Sequence, residues 1–266
     1  MSKGRTDIPI TEIAPDIYLL DEFTGTNCYL VVGSEKALLI DCGTGLCDFE
    51  AVVRNITDLP LTVVATHGHV DHFGGACLFP EIYVHKDDCK PVNKMQLSRA
   101  LRTGSYLAGK EVREQGVKLK DIQKKRYNTK LIPIEEGFKF DLGNKTLWVK
   151  HLPGHTRGSI ALVDEADKII FSGDNVCDSL WMFVPGCTSM EEWVPSAEWL
   201  LKMADDYKIY WGHRTPEIKK DYIATVIGYG KELIAKTEKN TRFYKISQYP
   251  KQADGILYRT DMVLKK

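Results

Sequence analysis

Thr66-His-Gly-His-Val-Asp-His72 places three imidazoles and a carboxylate within six residues, directly before Phe73-Gly-Gly75. Such side chains are costly to hold together on one turn unless a cation organises them. His67 and His69 lie two apart, so an extended or turning backbone sends both side chains one way. Asp71 and His72 can then reach another point a few ångströms off, which suggests two adjacent metals. Borderline cations such as zinc take a few nitrogen and oxygen ligands and keep a position open, so further ligands are expected from other segments. Pro153-Gly-His155-Thr, Phe171-Ser-Gly-Asp174 and Trp211-Gly-His213 supply them, each at the end of a run that reads as a strand. The remaining histidines, His85 and His151, are assigned to structure.

In type and order these motifs resemble the metallo-β-lactamase superfamily, and within it the dinuclear hydrolase branch typified by glyoxalase II. The resemblance spans about residues 15 to 237. It implies that His67, His69 and His155 hold a first metal, that Asp71, His72 and His213 hold a second, and that Asp174 bridges the two. Asp41, at the end of its strand, matches the family's acid that orients a ligand imidazole from behind. The implied fold is α/β, an αββα sandwich with the metals along one edge of the paired sheets. The implied cofactors are two divalent cations, zinc foremost, with manganese and iron also accepted by nitrogen- and oxygen-rich sites.

Two cations sharing a solvent molecule lower its pKa toward neutrality and give a hydroxide nucleophile without a Ser, Cys or free His base. Asp71 can orient that hydroxide as well as bind metal, which makes it the catalytic residue of this reading. The expected reaction is hydrolysis of an ester, thioester or lactone of a small substrate, one with an anionic handle included. Asp174 sets the chain apart from zinc β-lactamases, which generally lack the bridging acid. His213-Arg-Thr215 has no tyrosine where glyoxalase II has one in its glutathione site, and Cys177 stands where acyl-homoserine lactonases have a tyrosine. His69, in place of a glutamate, points away from the diiron flavoproteins. Two alternatives within the superfamily stay open: a phosphodiesterase or nuclease, and a mononuclear-iron oxidoreductase of the persulfide dioxygenase kind.

The elements that must position these residues are short apolar runs. Ile17–Leu20, Cys28–Val32 and Ala37–Ile40 read as an N-terminal sheet, a helix covers about Leu46 to Ile56, and Leu61–Ala65 reads as a buried strand feeding His67. Residues 138–140, 146–150, 159–163 and 169–171 predict a second sheet. Ser189 to Asp205 predicts a helix capped by Thr188 or Ser189 and kinked or divided at Pro195, and Pro216 is placed in the first turn of a helix running to about Glu238. Residues 86–130 read as a helical insertion with thirteen bases against five acids, a local excess of eight positive charges. This insertion is expected to cover the metal edge and help admit an anionic substrate. Residues 238–266 form a C-terminal extension with a loose strand pair, and Trp181 to Phe183 line either a pocket or the core.

With 266 residues, 43% of them apolar and 27% charged, the chain suits one globular domain, which the resemblance implies is a single metallo-β-lactamase-like domain over residues 1–266. Thirty-six basic residues balance thirty-six acidic ones, so no bulk field draws the molecule to nucleic acid or a membrane, and a small-molecule substrate is the expected partner. No apolar run approaches the roughly 18–20 residues of a membrane span, and the N-terminus lacks the apolar core of a signal peptide. The expected location is therefore the cytoplasm. Seven cysteines without CxxC spacing read as free thiols. Homo-oligomer formation is left open by the sequence.

Overall fold

Alternate residues of a strand face opposite ways, and in β3 (Asn27–Val32) and β4 (Ala37–Ile40) both faces are covered. Cys28, Leu30, Ala37 and Leu39 join a core beneath helix α1 (Phe49–Arg54), whereas Tyr29, Val31, Leu38 and Ile40 join a second core on the other side. A sheet buried on both faces needs continuous apolar runs, which is why these strands were legible in the sequence.

The computed structural model describes residues 5–23, 25–89, 110–124, 126–214 and 216–265. A seven-stranded sheet runs β1 (Ile10–Ala14), β2 (Ile17–Asp21), β3, β4, β5 (Leu61–Val64), β6 (Glu81–His85) and β7 (Lys130–Ile134) in spatial order. Its pairings are antiparallel up to β4 and parallel from β4 onward. A six-stranded sheet contains β8 (Lys139–Asp141), β9 (Thr146–His151), β10 (Ile160–Asp164), β11 (Ile169–Phe171), β13 (Lys208–Tyr210) and β14 (Glu217–Ile218), ordered β14-β13-β11-β10-β9-β8. A small third sheet joins β12 (Trp181–Met182) to β16 (Ile256–Arg259) and β15 (Ile246–Tyr249).

Leu147, Val149, Ile160, Leu162 and Phe171 of the second sheet meet the inner face of the first. On its outer face Ala161, Val163, Ile170 and Ile209 pack beneath helices α4 (Met190–Met203) and α5 (Lys220–Ala235). Two short helices among the described residues are α2 (Val70–Phe73) and α3 (Lys110–Glu114). The layers are thus helix, sheet, sheet, helix: an αββα sandwich. Among the described residues no helix is long and apolar enough to cross a membrane. All seven cysteines are free, and six are buried.

Several boundaries differ from those read in the sequence. The first helix starts only at Phe49 because Asp48 caps it, accepting from the Ala51 amide at 3.3 Å. Helix α4 runs unbroken through Pro195, which sits on the solvent side of its second turn, so one ladder bond is lost without a division. Pro216 precedes β14, and α5 begins four residues after it. Residues 90–109 of the expected insertion lie outside the described residues. Its remainder comprises α3 and single helical turns at Lys86–Asp88 and Leu119–Asp121, and Lys130 already belongs to β7. Val112, Val117 and Ile122 fill the core on the α1 side, and Arg126 pairs with Asp48 and Glu50. That arginine therefore anchors the segment to α1 instead of reaching for substrate.

Candidate metal centre

Asp41 follows β4, Thr66 to His72 follow β5, His155 lies between β9 and β10, Asp174 follows β11 and His213 follows β13. These loops converge, and each imidazole is turned by a hydrogen bond on its outward nitrogen. His67 Nδ1 lies 3.1 Å from Thr66 Oγ1, whose own proton goes to Asp41 Oδ2 at 2.9 Å. His69 Nε2 meets the Pro185 carbonyl at 3.2 Å, and His72 Nδ1 meets Asp41 Oδ2 at 2.8 Å. His155 Nδ1 meets the Trp181 carbonyl at 2.9 Å, and His213 Nδ1 the Gly25 carbonyl at 3.3 Å. Carbonyl and carboxylate oxygens only accept, so the network assigns the proton of every ring to its outward nitrogen. Five lone pairs then point inward.

His69 Nδ1 and His155 Nε2 stand 2.8 Å apart, and buried His67 Nε2 beside them has no hydrogen-bond partner. His72 Nε2 and His213 Nε2 stand 3.3 Å apart, with Asp71 Oδ2 at 3.7 and 3.4 Å from them respectively. Asp174 Oδ2 lies between the two groups, 3.0 Å from His213 Nε2, 3.4 Å from His72 Nε2 and 3.7 Å from His155 Nε2, and its buried Oδ1 has no partner. Lone pairs facing one another at such distances repel, and an unpartnered buried polar atom costs about 1–3 kcal/mol. Divalent cations remove both penalties. The donors fit two of them: one among His67, His69 and His155, one among Asp71, His72 and His213, with Asp174 within reach of each.

The electrostatics agree. Burial, reinforced by neighbouring imidazoles, holds His67 well below the usual imidazole range and brings His155 down to about 3, so both offer neutral rings. Burial works against ionised Asp174, but His213 and His72 outweigh it and hold the carboxyl well below the carboxylate range. Asp71 is lowered in the same way, by His72 and His213 against burial. Burial likewise opposes a charged His72 or His213, yet the facing carboxylates raise both, and a cation would replace the inward proton.

Three supporting features had escaped the sequence reading. Asp88 is buried and joins two ligand loops, accepting from Gly68 N at 2.9 Å, Thr156 Oγ1 at 2.7 Å and Gly158 N at 3.0 Å. Tyr29 donates to the Trp211 carbonyl at 2.6 Å, and the Asn27 amide to the Gly212 carbonyl at 2.8 Å, so β3 fixes the loop of His213. Gly75 and Gly212 leave no room for a Cβ: the first abuts the Cys42 carbonyl, the second Asp174 Oδ1 and the His72 ring. Asp88 gave no signal, because the Asp87-Asp88 pair ahead of a basic stretch looks like any turn acids. His85 and His151 stack at 4.0 Å with ring planes 14° apart, and Asp87 lies nearby. Near-parallel rings share no in-plane point where both could ligate one ion, which supports their structural assignment.

A family model described as the metallo-beta-lactamase superfamily matches residues 21–213. The chain belongs to the metallo-beta-lactamase superfamily. Its members bind divalent metals, and this one is a metal-dependent hydrolase of that superfamily. The acyl-coenzyme A thioesterase MBLAC2 of Gallus gallus is 32% identical over 196 residues, covering 67% of this chain and 68% of that protein. The Homo sapiens protein of the same name is 32% identical over 195 residues with the same shares. Among solved structures, TTHA1623 in a di-iron-bound form is 27% identical with a TM-score of 0.52, over 75% of this chain and 92% of the other. The B3 metallo-beta-lactamase BLEG-1, 22% identical with a TM-score of 0.53 over 77% and 95%, is similar in fold.

Proposed function

We propose that this superfamily member is a thioesterase that binds two divalent cations and cleaves a small acyl thioester of the acyl-coenzyme A kind. The convergence of five oriented imidazole lone pairs and two carboxylates carries the reading, and the similarity to acyl-coenzyme A thioesterases selects the thioester. Bound there, divalent cations supply Lewis acidity and a deprotonated water at neutral pH. His67, His69 and His155 would hold one, Asp71, His72 and His213 the other, with Asp174 bridging, and zinc or iron is the proposed metal.

Asp71, a third of whose side chain is exposed, is the acid open to solvent and would accept a hydrogen bond from the attacking water. Asp174 is buried and stays ionised between the two groups. Cys177, the cysteine three residues after Asp174, is no nucleophile, since burial and then Asp174 push its thiol well above its ordinary range. A thiolate is also a stable leaving group, so the absence of a dedicated acid among the clustered residues is consistent with thioester cleavage. Seven free thiols suit a reducing compartment, and we place the protein in the cytoplasm.

Metal quantification followed by a panel of acyl-coenzyme A, glutathione thioester, lactone, carboxylic ester and phosphodiester substrates tests this. Two metals per chain and preferential thioester turnover are expected. A single iron with oxygen consumption would establish the oxygenase alternative instead, and phosphodiester preference would establish the nuclease.

A further inference from the structure

A sheet that packs on a core by one face ordinarily turns polar side chains outward. The sheet of β12, β16 and β15 does so only in part, with Gln248 and Arg259 turned outward beside apolar residues. Met182, Ile256 and Tyr258 face the core beneath α4 and α5. Trp181 pairs with Leu257, Leu257 with Gln248, and Arg259 with Ile246, so alternation puts Trp181, Leu257 and Ile246 together on the outer face. Phe183 extends this surface, its ring centroid 5.3 Å from that of Trp181. Trp181 is 47% and Ile246 42% exposed. The backbone of the same segment touches the ligand cluster, through the Trp181 carbonyl on His155 and the Pro185 carbonyl on His69. An exposed apolar patch continuous with a polar cluster marks a binding surface.

Charge selects the occupant. Arg259, the cation on this face, pairs with Asp261 and lies 4.7 Å over the Tyr244 ring, so its charge is already compensated. Among the described residues the face itself offers apolar area, with Gln248 and the compensated Arg259 as its polar groups. We infer that it binds the apolar acyl chain of the substrate, laid across Trp181, Phe183, Leu257 and Ile246 with its carbonyl end toward His155 and His69. This rests on the thioester reading and narrows it to acyl groups long enough to run from the cluster onto the sheet. Strands β15 and β16 lie beyond residue 213, where the family match ends, so this chain's C-terminal segment contributes two of the three strands.

Two measurements test it. Turnover of acetyl-, hexanoyl- and dodecanoyl-coenzyme A reads chain-length preference, and calorimetry with methyl and dodecyl thioethers of coenzyme A, which cannot be hydrolysed, reads the surface without turnover. The wild type is expected to bind the dodecyl thioether at least tenfold more tightly than the methyl thioether, with a negative heat-capacity change. Trp181→Ala and Ile246→Ser should each shrink that ratio several-fold, and Trp181→Phe should restore most of it. Ile246 is surface-exposed, so its variant reads the patch even where Trp181→Ala perturbs folding. Equal binding of both thioethers by the wild type, or an unchanged ratio in both variants, overturns the inference. A wild type that prefers the dodecyl thioether yet hydrolyses no thioester supports the chain-binding surface and overturns the thioesterase reading.

Discussion

Asp174 reaches both imidazole groups while His213 belongs to one, and the two residues should fail differently when removed. Asp174→Ala is expected to weaken both cations, since a carboxylate between them neutralises mutual repulsion, whereas His213→Ala empties one site. Metal titration of each variant, read as ions per chain, checks this; full occupancy in Asp174→Ala would remove the bridge. Asp88 tests the layer behind the ligands. It holds Gly68, between His67 and His69, to Thr156, next to His155. Asp88→Ala should lower affinity at the site of those three histidines by about 10–100-fold while largely sparing the other, with partial rescue by Asp88→Asn, which keeps acceptor capacity on one oxygen. Equal loss at both sites would mean general unfolding. The candidate ligands were picked out in the sequence because imidazoles clustered on one turn have few explanations. Asp88 was not, because its role exists only where two loops distant in sequence meet.

Elements matter here for the rigidity they lend to loops. Helix α4 is closed by a capping box in which Ser189 Oγ accepts from the Glu192 amide at 3.2 Å and Glu192 reaches back to the Ser189 amide at 3.1 Å. Ser189→Ala should cost about 1 kcal/mol in denaturant unfolding. The helix also buttresses the loops of His155 and Asp174, with Ser196 Oγ donating to the Pro153 carbonyl at 2.8 Å and Trp193 Nε1 to the Asn175 carbonyl at 2.7 Å. The strands and this helix were readable from apolar runs and a cap. Their ends were not, since β1, β7 and β14 are edge or near-edge strands with weak apolar patterns, and Pro195 is tolerated because it sits on the solvent face.

At the scale of the molecule, balanced charge leaves local patches to act. Lys118, Lys120 and Lys124 are exposed, whereas Arg126 is already paired. If the three lysines guide an anionic thioester, neutralising them should lower kcat/KM for acyl-coenzyme A severalfold at low salt and little at 0.5 M salt, because screening acts beyond a Debye length of ~8 Å at physiological ionic strength. A salt-independent effect, or none, would leave the segment as packing through Val112, Val117 and Ile122. Local sequence patterns carried the candidate ligand types, their order and the two-sheet core, because clustered donors and continuous apolar runs are readable without the fold. The folded arrangement was needed to see which nitrogen of each ring faces inward, that Asp88 joins the loops of His67 and His155, and that Trp181 shares an outer face with Leu257 and Ile246. Those facts depend on hydrogen bonds and strand register between segments far apart in the chain, which no local pattern encodes.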